Sequence, residues 1–144
     1  MGPYRERKFP GLGNYQDWTR AQQQYLDANG ELSRGNYTLA INMYEVALTI
    51  YPHYPQCLHN LAIALGKKGD YQAAGVRCME AISFRHDDWK FWRTLGFELF
   101  KQGRLRPSLA AFQQAMALSP PVPDRAQLID DVELVKDYLH KRIK

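Results

Sequence analysis

The side chains best suited to catalysis or metal binding in this 144-residue chain are few, and His86, Asp87 and Asp88 form one compact group. An imidazole beside two carboxylates could hold a divalent metal ion or act in general acid–base catalysis. The three residues fall between two segments of helical periodicity, where Asp88 is well placed to cap a helix that begins near Trp89. We therefore favour a helix cap or a solvated loop over a reactive site.

The remaining nucleophiles and imidazoles are dispersed. Two cysteines, Cys57 and Cys78, are too few for a disulfide framework, and neither has a neighbouring zinc ligand. The periodicity predicts that Cys78 is buried, whereas Cys57 could be more exposed. His53 lies in a loop and His140 on a polar helix face, and the chain has no nucleophile–base pair or glycine-rich phosphate loop. We expect no enzyme activity, no cofactor and no metal site.

The amino-acid composition is that of a globular protein. Hydrophobic residues make up 45% of the chain and charged residues 24%, as in ordinary globular proteins. No stretch approaches the ~18 apolar residues of a membrane span, and no apolar signal segment stands at the start, so we expect no membrane insertion. With two unpaired cysteines, a reducing, cytoplasmic setting is the default expectation.

The net charge of +4 is unevenly distributed. Residues 89–120 carry 5 basic and 1 acidic groups, a net charge of +4, and residues 1–20 carry 4 and 2, a net charge of +2. This pattern indicates one basic patch rather than a face that coats nucleic acid. Most aromatic residues also occupy periodic, core-like positions, so we expect no nucleic-acid partner.

One pattern returns three times at a spacing of 34 residues: GNYTLAINMYEVAL from Gly35, GDYQAAGVRCMEAI from Gly69 and GRLRPSLAAFQQAM from Gly103. Small and bulky residues follow each glycine at helical spacing, and a glycine before the helix suits a tight turn with positive φ. The matching positions are Tyr37, Tyr71 and Leu105; Ala40, Ala74 and Ser108; Tyr44, Cys78 and Phe112; Ala47, Ala81 and Ala115; and Leu48, Ile82 and Met116. Proline follows at Pro52 and Pro120, where it would end a helix.

A second helix is predicted before each glycine. An apolar stripe runs through Leu58, Leu61 and Leu65, and its counterpart in the third copy through Trp92, Leu95 and Leu99. The leading helix of the first copy is weak, because polar residues occupy the stripe. Small residues at Ala28, Ala62 and Gly96, opposite Ala40, Ala74 and Ser108, would let the two helices of each copy approach closely. Each copy is thus helix–turn–helix, and stacked copies bury what one leaves exposed.

These features resemble the tetratricopeptide repeat family. The resemblance rests on Trp92-x-x-Leu95-Gly96, Gly103, Phe112, Ala115 and Pro120; on Leu58-x-x-Leu61-Ala62, Gly69, Tyr71, Ala74 and Ala81; and on the segment from Gly35 to Pro52. It implies an all-α fold, a right-handed α-solenoid of three helix–turn–helix repeats with a C-terminal capping helix. The expected boundaries are 1–16 for a flexible or surface-lying tail, 17–54, 55–88 and 89–120 for the repeats, and 121–144 for the capping helix.

The last segment has its own helical pattern. Leu128, Val132, Val135 and Leu139 lie at helical spacing, and Ile129, Tyr138 and Ile143 are expected to join them. We expect this helix to cover the apolar face that the third repeat leaves open.

The resemblance implies a concave face lined by the first helix of each repeat, and hence a protein partner. The expected contact residues are Tyr25, Asn29, His59, Asn60, Ile63, Lys67, Lys90, Arg93, Phe97, Phe100 and Lys101. Cations around apolar side chains suit an acidic or carboxylate-terminated peptide with apolar residues. The alternative for Phe97 and Phe100 is that they pack against the N-terminal tail or the last helix.

Two subfamilies of tetratricopeptide-repeat proteins suggest what kind of segment could bind. One binds the acidic C-terminal tails of heat-shock chaperones through a two-carboxylate clamp, and Asn29, Asn60 and Lys90 match its positions. Tyr25 and Thr94 stand where that clamp has cations, and Arg93 is one residue early, turned by about 100° around the helix. The other subfamily, chaperones of type III secretion translocators, has a similar length and layout. A structural subunit that self-associates through its terminal helices, as a homo-oligomer, is the alternative function.

Overall fold

The computed structural model describes residues 15–143, which form seven α-helices. In chain order they are α1 (Tyr15–Ser33), α2 (Tyr37–Ile50), α3 (Pro55–Lys67), α4 (Tyr71–Phe84), α5 (Trp89–Lys101), α6 (Leu105–Ala117) and α7 (Val122–Ile143). The predicted all-α fold of three helix pairs and a last helix is confirmed. Helix α1 begins two residues before the expected start of the first repeat, and the predicted tail over residues 1–14 lies outside the described residues.

Each repeat turns at a glycine in the left-handed region, as the sequence predicts. The φ angles are 81° at Gly35, 91° at Gly69 and 76° at Gly103. The residue after each glycine donates its amide hydrogen to a carbonyl five residues earlier, and the N···O distance is 2.9 Å in all three turns. An L-residue with a Cβ would be strained at these φ values, so the glycines hold the helices of each pair antiparallel.

Small residues allow the paired helices to approach. Ala28, Ala40, Ala62 and Ala74 are fully buried. In the third repeat the contact is tighter, since a Cβ added at Gly96 would lie 2.7 Å from the nearest ring carbon of Phe112. The predicted contact between small residues is confirmed in the third repeat, where the Ser108 hydroxyl donates to the carbonyl oxygen of Gly96 at 2.7 Å.

Helix α1 belongs to the core despite its polar stripe. Ala21 and Ala28 are fully buried, and Trp18, Tyr25 and Leu32 pack against the core. The ring of Trp18 lies 4.8 Å from that of Tyr54, centroid to centroid, and Tyr54 directly precedes α3. Aromatic rings spaced along α1 thus do the packing that aliphatic residues do in α3 and α5.

Helix α7 covers α6, as expected. Leu128, Val132 and Val135 are buried and form a second core cluster with α6. Ile129 and Tyr138, which the sequence predicts on this apolar face, are instead exposed, because each is one residue away from the buried row and so turned by about 100°. The predicted Ile143 ends the helix, and its side chain lies outside the described part of the structure.

Both cysteines are buried and free. Burial of Cys78 is confirmed, while the greater exposure expected for Cys57 is wrong: its Sγ donates to the carbonyl oxygen of Tyr44 at 3.6 Å. Desolvation raises the pKa of the Cys57 thiol to about 12, which leaves it protonated at neutral pH.

The compact group of His86, Asp87 and Asp88 is a helix start. The Oδ1 of Asp88 accepts a hydrogen bond from the backbone N–H of Lys90 at 3.0 Å, the predicted cap. Within residues 15–143, no cluster of three His, Cys, Asp or Glu side chains is arranged to hold a metal ion. Within the same range, none of the helices is long and apolar enough to cross a membrane.

Candidate functional site: the central groove

Four side chains from α1, α2 and α3 form one polar network. The amide nitrogen of Asn60 donates to the Tyr25 hydroxyl at 3.1 Å and to the Oδ1 of Asn29 at 2.9 Å. The hydroxyl of Tyr44 donates to the same Oδ1 at 2.5 Å. Desolvation raises the pKa of the Tyr44 phenol far above its usual range, so the phenol remains a neutral donor.

This network fixes how the two asparagines face the solvent. Because the Oδ1 of Asn29 accepts two hydrogen bonds, its Nδ2 donors point away from the network, and among residues 15–143 they have no hydrogen-bond partner. Both donors of Asn60 are used, and its Oδ1 likewise accepts from none of these residues. A donor group and an acceptor therefore lie side by side on a half-buried surface, the arrangement that matches a peptide unit.

His59 lies next to Asn60 on α3 and connects this helix to α5. The Nε2 of His59 lies 2.8 Å from the Oγ1 of Thr94 on α5, and its ring packs 4.7 Å from the ring of Phe91. Desolvation lowers the pKa of His59 to about 4, so the ring is neutral at physiological pH. His59 thus joins α3 to α5 by a hydrogen bond and brings no charge to the site.

Arg93 does not face a groove partner, contrary to the sequence prediction. Its Nε lies 3.4 Å from the Oδ2 of Asp131 on α7, and its guanidinium carbon lies 5.2 Å from the ring centroid of Phe97. Asp131 is only 6% exposed, so the carboxylate requires this cation. The ion pair helps to fasten α7 to α5.

The two phenylalanines of α5 are likewise engaged within the chain. Phe97 meets Phe112 edge-on at 5.3 Å between ring centroids, and Phe100 meets Tyr138 edge-on at 5.1 Å. Both are half-buried rather than open on the concave face. The expectation of two free rings is wrong, and the alternative, packing against the last helix, is confirmed for Phe100.

The remaining predicted contact residues keep their solvent access. Lys67, Lys90 and Lys101 are exposed, and Ile63 is half-buried on α3. Lys90 stands at the start of α5, one helical turn before Thr94. We define the central groove by its members on three helices: Tyr25, Asn29, His59, Asn60, Ile63, Lys90 and Thr94.

Sequence reasoning misses two residues that shape this region. Tyr44 occupies an aromatic core position of the repeat, yet its hydroxyl reaches the groove and orients Asn29. Asp131 looks like one of several acids on α7, but its burial against Arg93 removes that cation from the groove. A tyrosine where the third repeat has Phe112 is the one signal in the sequence for the first of these.

Comparison with known proteins agrees with this architecture. No protein-family profile matches the chain. A curated relative, small glutamine-rich tetratricopeptide repeat-containing protein 2 of Mycosarcoma maydis, is 27% identical over 105 residues, which are 73% of this chain. The match spans only 30% of that relative's length.

Solved structures agree more closely in shape than in sequence. The first tetratricopeptide domain of Spaghetti (RPAP3), bound to the HSP90 peptide SRMEEVD, superposes with a TM-score of 0.80 at 18% identity, over 85% of this chain and 94% of that one. The Yersinia enterocolitica chaperone SycD, in complex with a peptide of the translocator YopD, gives 0.75 at 16% identity, over 80% and 91%. With its three helix pairs and last helix, the chain has the fold of a tetratricopeptide-repeat domain.

Proposed function

We propose that this chain is a non-enzymatic interaction module that binds an extended segment of a partner protein in the central groove. The observation that carries the proposal is the donor on Asn29 beside the acceptor on Asn60, held in place by Tyr25 and Tyr44. A peptide unit of a bound segment can satisfy both at once. Such a module would act as an adaptor, a scaffold or a co-chaperone.

Two structural neighbours support this use of the fold. The Spaghetti domain holds an HSP90 peptide and SycD holds a YopD peptide, so the same helical arrangement accommodates segments of unrelated proteins. Each peptide belongs to that neighbour's own partner. For the present chain, the chemistry of the groove has to define the segment.

That chemistry favours an internal acidic segment over a free C-terminal carboxylate. Lys90 is the single cation of the central groove, because Tyr25 and Thr94 stand at two positions where a carboxylate clamp has cations and Arg93 is paired with Asp131. The Oδ1 of Asn60, which accepts no hydrogen bond from residues 15–143, would repel a carboxylate but accept a peptide N–H. We expect apolar side chains of the segment to pack on Ile63 and Tyr25, and one of its acids to meet Lys90.

A cytoplasmic location fits the thiols. Cys57 and Cys78 are both free thiols, as is usual for proteins of a reducing compartment.

The test uses matched variants of the full chain. Ile63→Ser with Lys90→Gln alters the groove, whereas Val76→Ser with Lys68→Gln makes two comparable changes at exposed positions outside it. Peptides co-purified from a crosslinked lysate are identified by mass spectrometry, synthesised with free or amidated C-termini and titrated by calorimetry. We expect the groove pair to weaken binding by about tenfold and the control pair to leave it unchanged.

Equal weakening by both pairs would count against the groove. Stronger binding of the free acid than of its amidated twin would reject the internal segment and restore a terminal carboxylate as the ligand. Melting curves of both variants establish that each remains folded.

Self-association is the second candidate, and exposed apolar side chains on α7 favour it. Val122, Ile129, Leu134 and Tyr138 are each at least 45% exposed. A structural subunit would form dimers or larger assemblies that Ile129→Ser with Leu134→Ser converts to monomers in light scattering. A monomer at all concentrations would reject this function and leave the interaction module standing.

A further inference from the structure

Three arginines line one cleft where the α5–α6 turn meets the end of α7. Arg104 ends the turn, Arg106 lies in the first turn of α6, and Arg142 lies in the last turn of α7. The cleft has a volume of about 550 Å³, and its lining is completed by Gly103, Leu105, Pro107 and Leu139. We call this site the arginine cleft.

Within residues 15–143, the arginines of the cleft lack a carboxylate partner, as Arg125 does. Five other arginines of the described residues each have a carboxylate oxygen within 4 Å: Arg20, Arg34, Arg77, Arg85 and Arg93. No carboxylate of residues 15–143 lies within that distance of the three cleft arginines. Arg142 donates to the carbonyl oxygen of Gly103 at 3.3 Å, which holds the end of α7 against the turn.

Two of these cations also stand where a helix disfavours them. The start of a helix carries partial positive charge, yet Arg104 is the N-cap residue of α6 and Arg106 its second residue. The other repeats place Asn36 and Thr38, or Asp70 and Gln72, at the same positions. None of the three N-cap side chains, Asn36, Asp70 and Arg104, caps its helix with a hydrogen bond, so the repeats differ at this position in charge. An anionic ligand would relieve this repulsion, whereas the isolated fold gains nothing from it.

The surroundings of the arginine cleft indicate which anion fits. Guanidinium groups bind carboxylate or phosphate oxygens in pairs, and the half-buried side chain of Leu139 can contact a neighbouring hydrocarbon group, whereas Leu105 is buried in the core. Exposed acids precede the cleft along α7, at Asp130 and Asp137, whereas Glu133 is paired with Lys136. They would repel a long nucleic-acid backbone or an anionic membrane, but not a short segment that ends within the cleft.

We propose that the arginine cleft binds an acidic segment of a partner protein in which oxyanions alternate with apolar side chains. The oxyanions are carboxylates of Asp or Glu, or a phosphorylated side chain, both of which the guanidinium forks recognise. The cleft shares no residue with the central groove. A failure of the function proposed above would therefore not contradict this site, and a failure of this site would not contradict that function.

The experiment follows the full-length ¹⁵N-labelled chain by NMR during titration. The probes are an acetylated and amidated peptide of alternating aspartate and leucine, and the same peptide with phosphoserine for aspartate. A single-stranded DNA oligomer and phosphatidylserine vesicles serve as competing classes. Arg104→Gln with Arg106→Gln is compared with Arg20→Gln with Arg34→Gln, which removes the same two charges from exposed positions elsewhere.

We expect amide shifts centred on Gly103, Leu105 and Arg106, and about tenfold weaker peptide binding in the cleft variant alone. Tighter binding of the phosphoserine peptide would identify phosphate as the oxyanion, and tighter binding of the aspartate peptide would identify carboxylates. Equal weakening in both variants, shifts confined to other residues, or no saturation by about 1 mM peptide would overturn the proposal. Tighter binding of DNA or vesicles at the same arginines would overturn it as well.

Discussion

The buried carboxylate of Glu98 lies directly against Gly66 of the preceding repeat. A Cβ added at Gly66 would lie 2.5 Å from Oε1 and 2.9 Å from Oε2 of Glu98. Glu98 is 7% exposed, and among residues 15–143 its Oε2 has no hydrogen-bond partner. The absence of a side chain at residue 66 is thus what admits an ionisable group between α3 and α5.

The first prediction concerns the pH dependence of stability. Desolvation raises the pKa of Glu98 from 4.5 to about 7, while nearby Lys101 partly offsets the effect. The folded state therefore binds more protons than the unfolded state between these values, and stability falls as the pH rises from 4.5 to 7. The loss for this group amounts to about 2–3 kcal/mol and is complete above pH 7.

Glu98→Gln isolates this contribution. We expect the variant to be more stable than the parent by about 1–3 kcal/mol at pH 8, and to lose that advantage near pH 4.5, in urea unfolding followed by circular dichroism. His59, with its pKa lowered to about 4, acts with the opposite sign as the pH rises to 6.5 and is common to both proteins. A stability difference that does not change with pH would contradict the assignment.

The second prediction separates the two roles of glycine. Gly96→Ala forces the new methyl group against the ring of Phe112, at 2.7 Å, and we expect it to destabilise the chain by about 2–4 kcal/mol. A Cβ at Gly69 meets nothing within 4 Å, so Gly69→Ala should cost only the strain of its φ of 91°, about 1 kcal/mol. Denaturant melts of both variants check the order, and equal losses would reject the close approach at Gly96.

The third prediction concerns the fastening of α7. Arg93 and Asp131, which are 38 residues apart in sequence, join α5 to α7. In a double-mutant cycle with Arg93→Met and Asp131→Asn, we expect a coupling of about 1–3 kcal/mol, because either single change leaves a partner uncompensated. A coupling energy near zero would show that the pair contributes little to stability. The exposed pair of Lys136 and Glu133 serves as the reference for a weak coupling.

The fourth prediction follows from the cations at the start of α6. Arg104→Asp with Arg106→Gln restores the residue types of the second repeat, Asp70 and Gln72. We expect a gain of about 0.5–1.5 kcal/mol in stability, because the charges then complement the helix dipole. Thermal unfolding at low salt measures the gain, and it should shrink in 1 M salt. Unchanged or reduced stability would remove the electrostatic argument for the arginine cleft.

Much of the fold follows from local rules. The 34-residue spacing, the turn glycines and the small residues between paired helices are visible in the chain, because each acts within one helix pair. The match is weakest at α1, where aromatic rings such as Trp18 replace an aliphatic stripe and pack on Tyr51 and Tyr54, which lie far along the chain between α2 and α3.

The side chains of the central groove were harder to predict from the sequence than the fold. Tyr25, Asn29 and Asn60 do lie together as predicted, since the same repeat positions of adjacent first helices face one another. Arg93, Phe97 and Phe100 were assigned to the same face from the same periodicity. Their packing against α6 and α7 depends on where α7 docks, which the pattern within α5 does not contain.

The sequence by itself determined the three repeats, the positive-φ turns at Gly35, Gly69 and Gly103, and a last helix with one apolar row. These features depend on residues close together in the chain, whose types restrict backbone angles and burial directly. Only the tertiary structure decided which side chains remain available to a partner. The partner of a charged or aromatic side chain depends on how whole helices pack against one another. The Arg93–Asp131 pair and the grouping of Arg104, Arg106 and Arg142 in one cleft are therefore visible only in the tertiary structure.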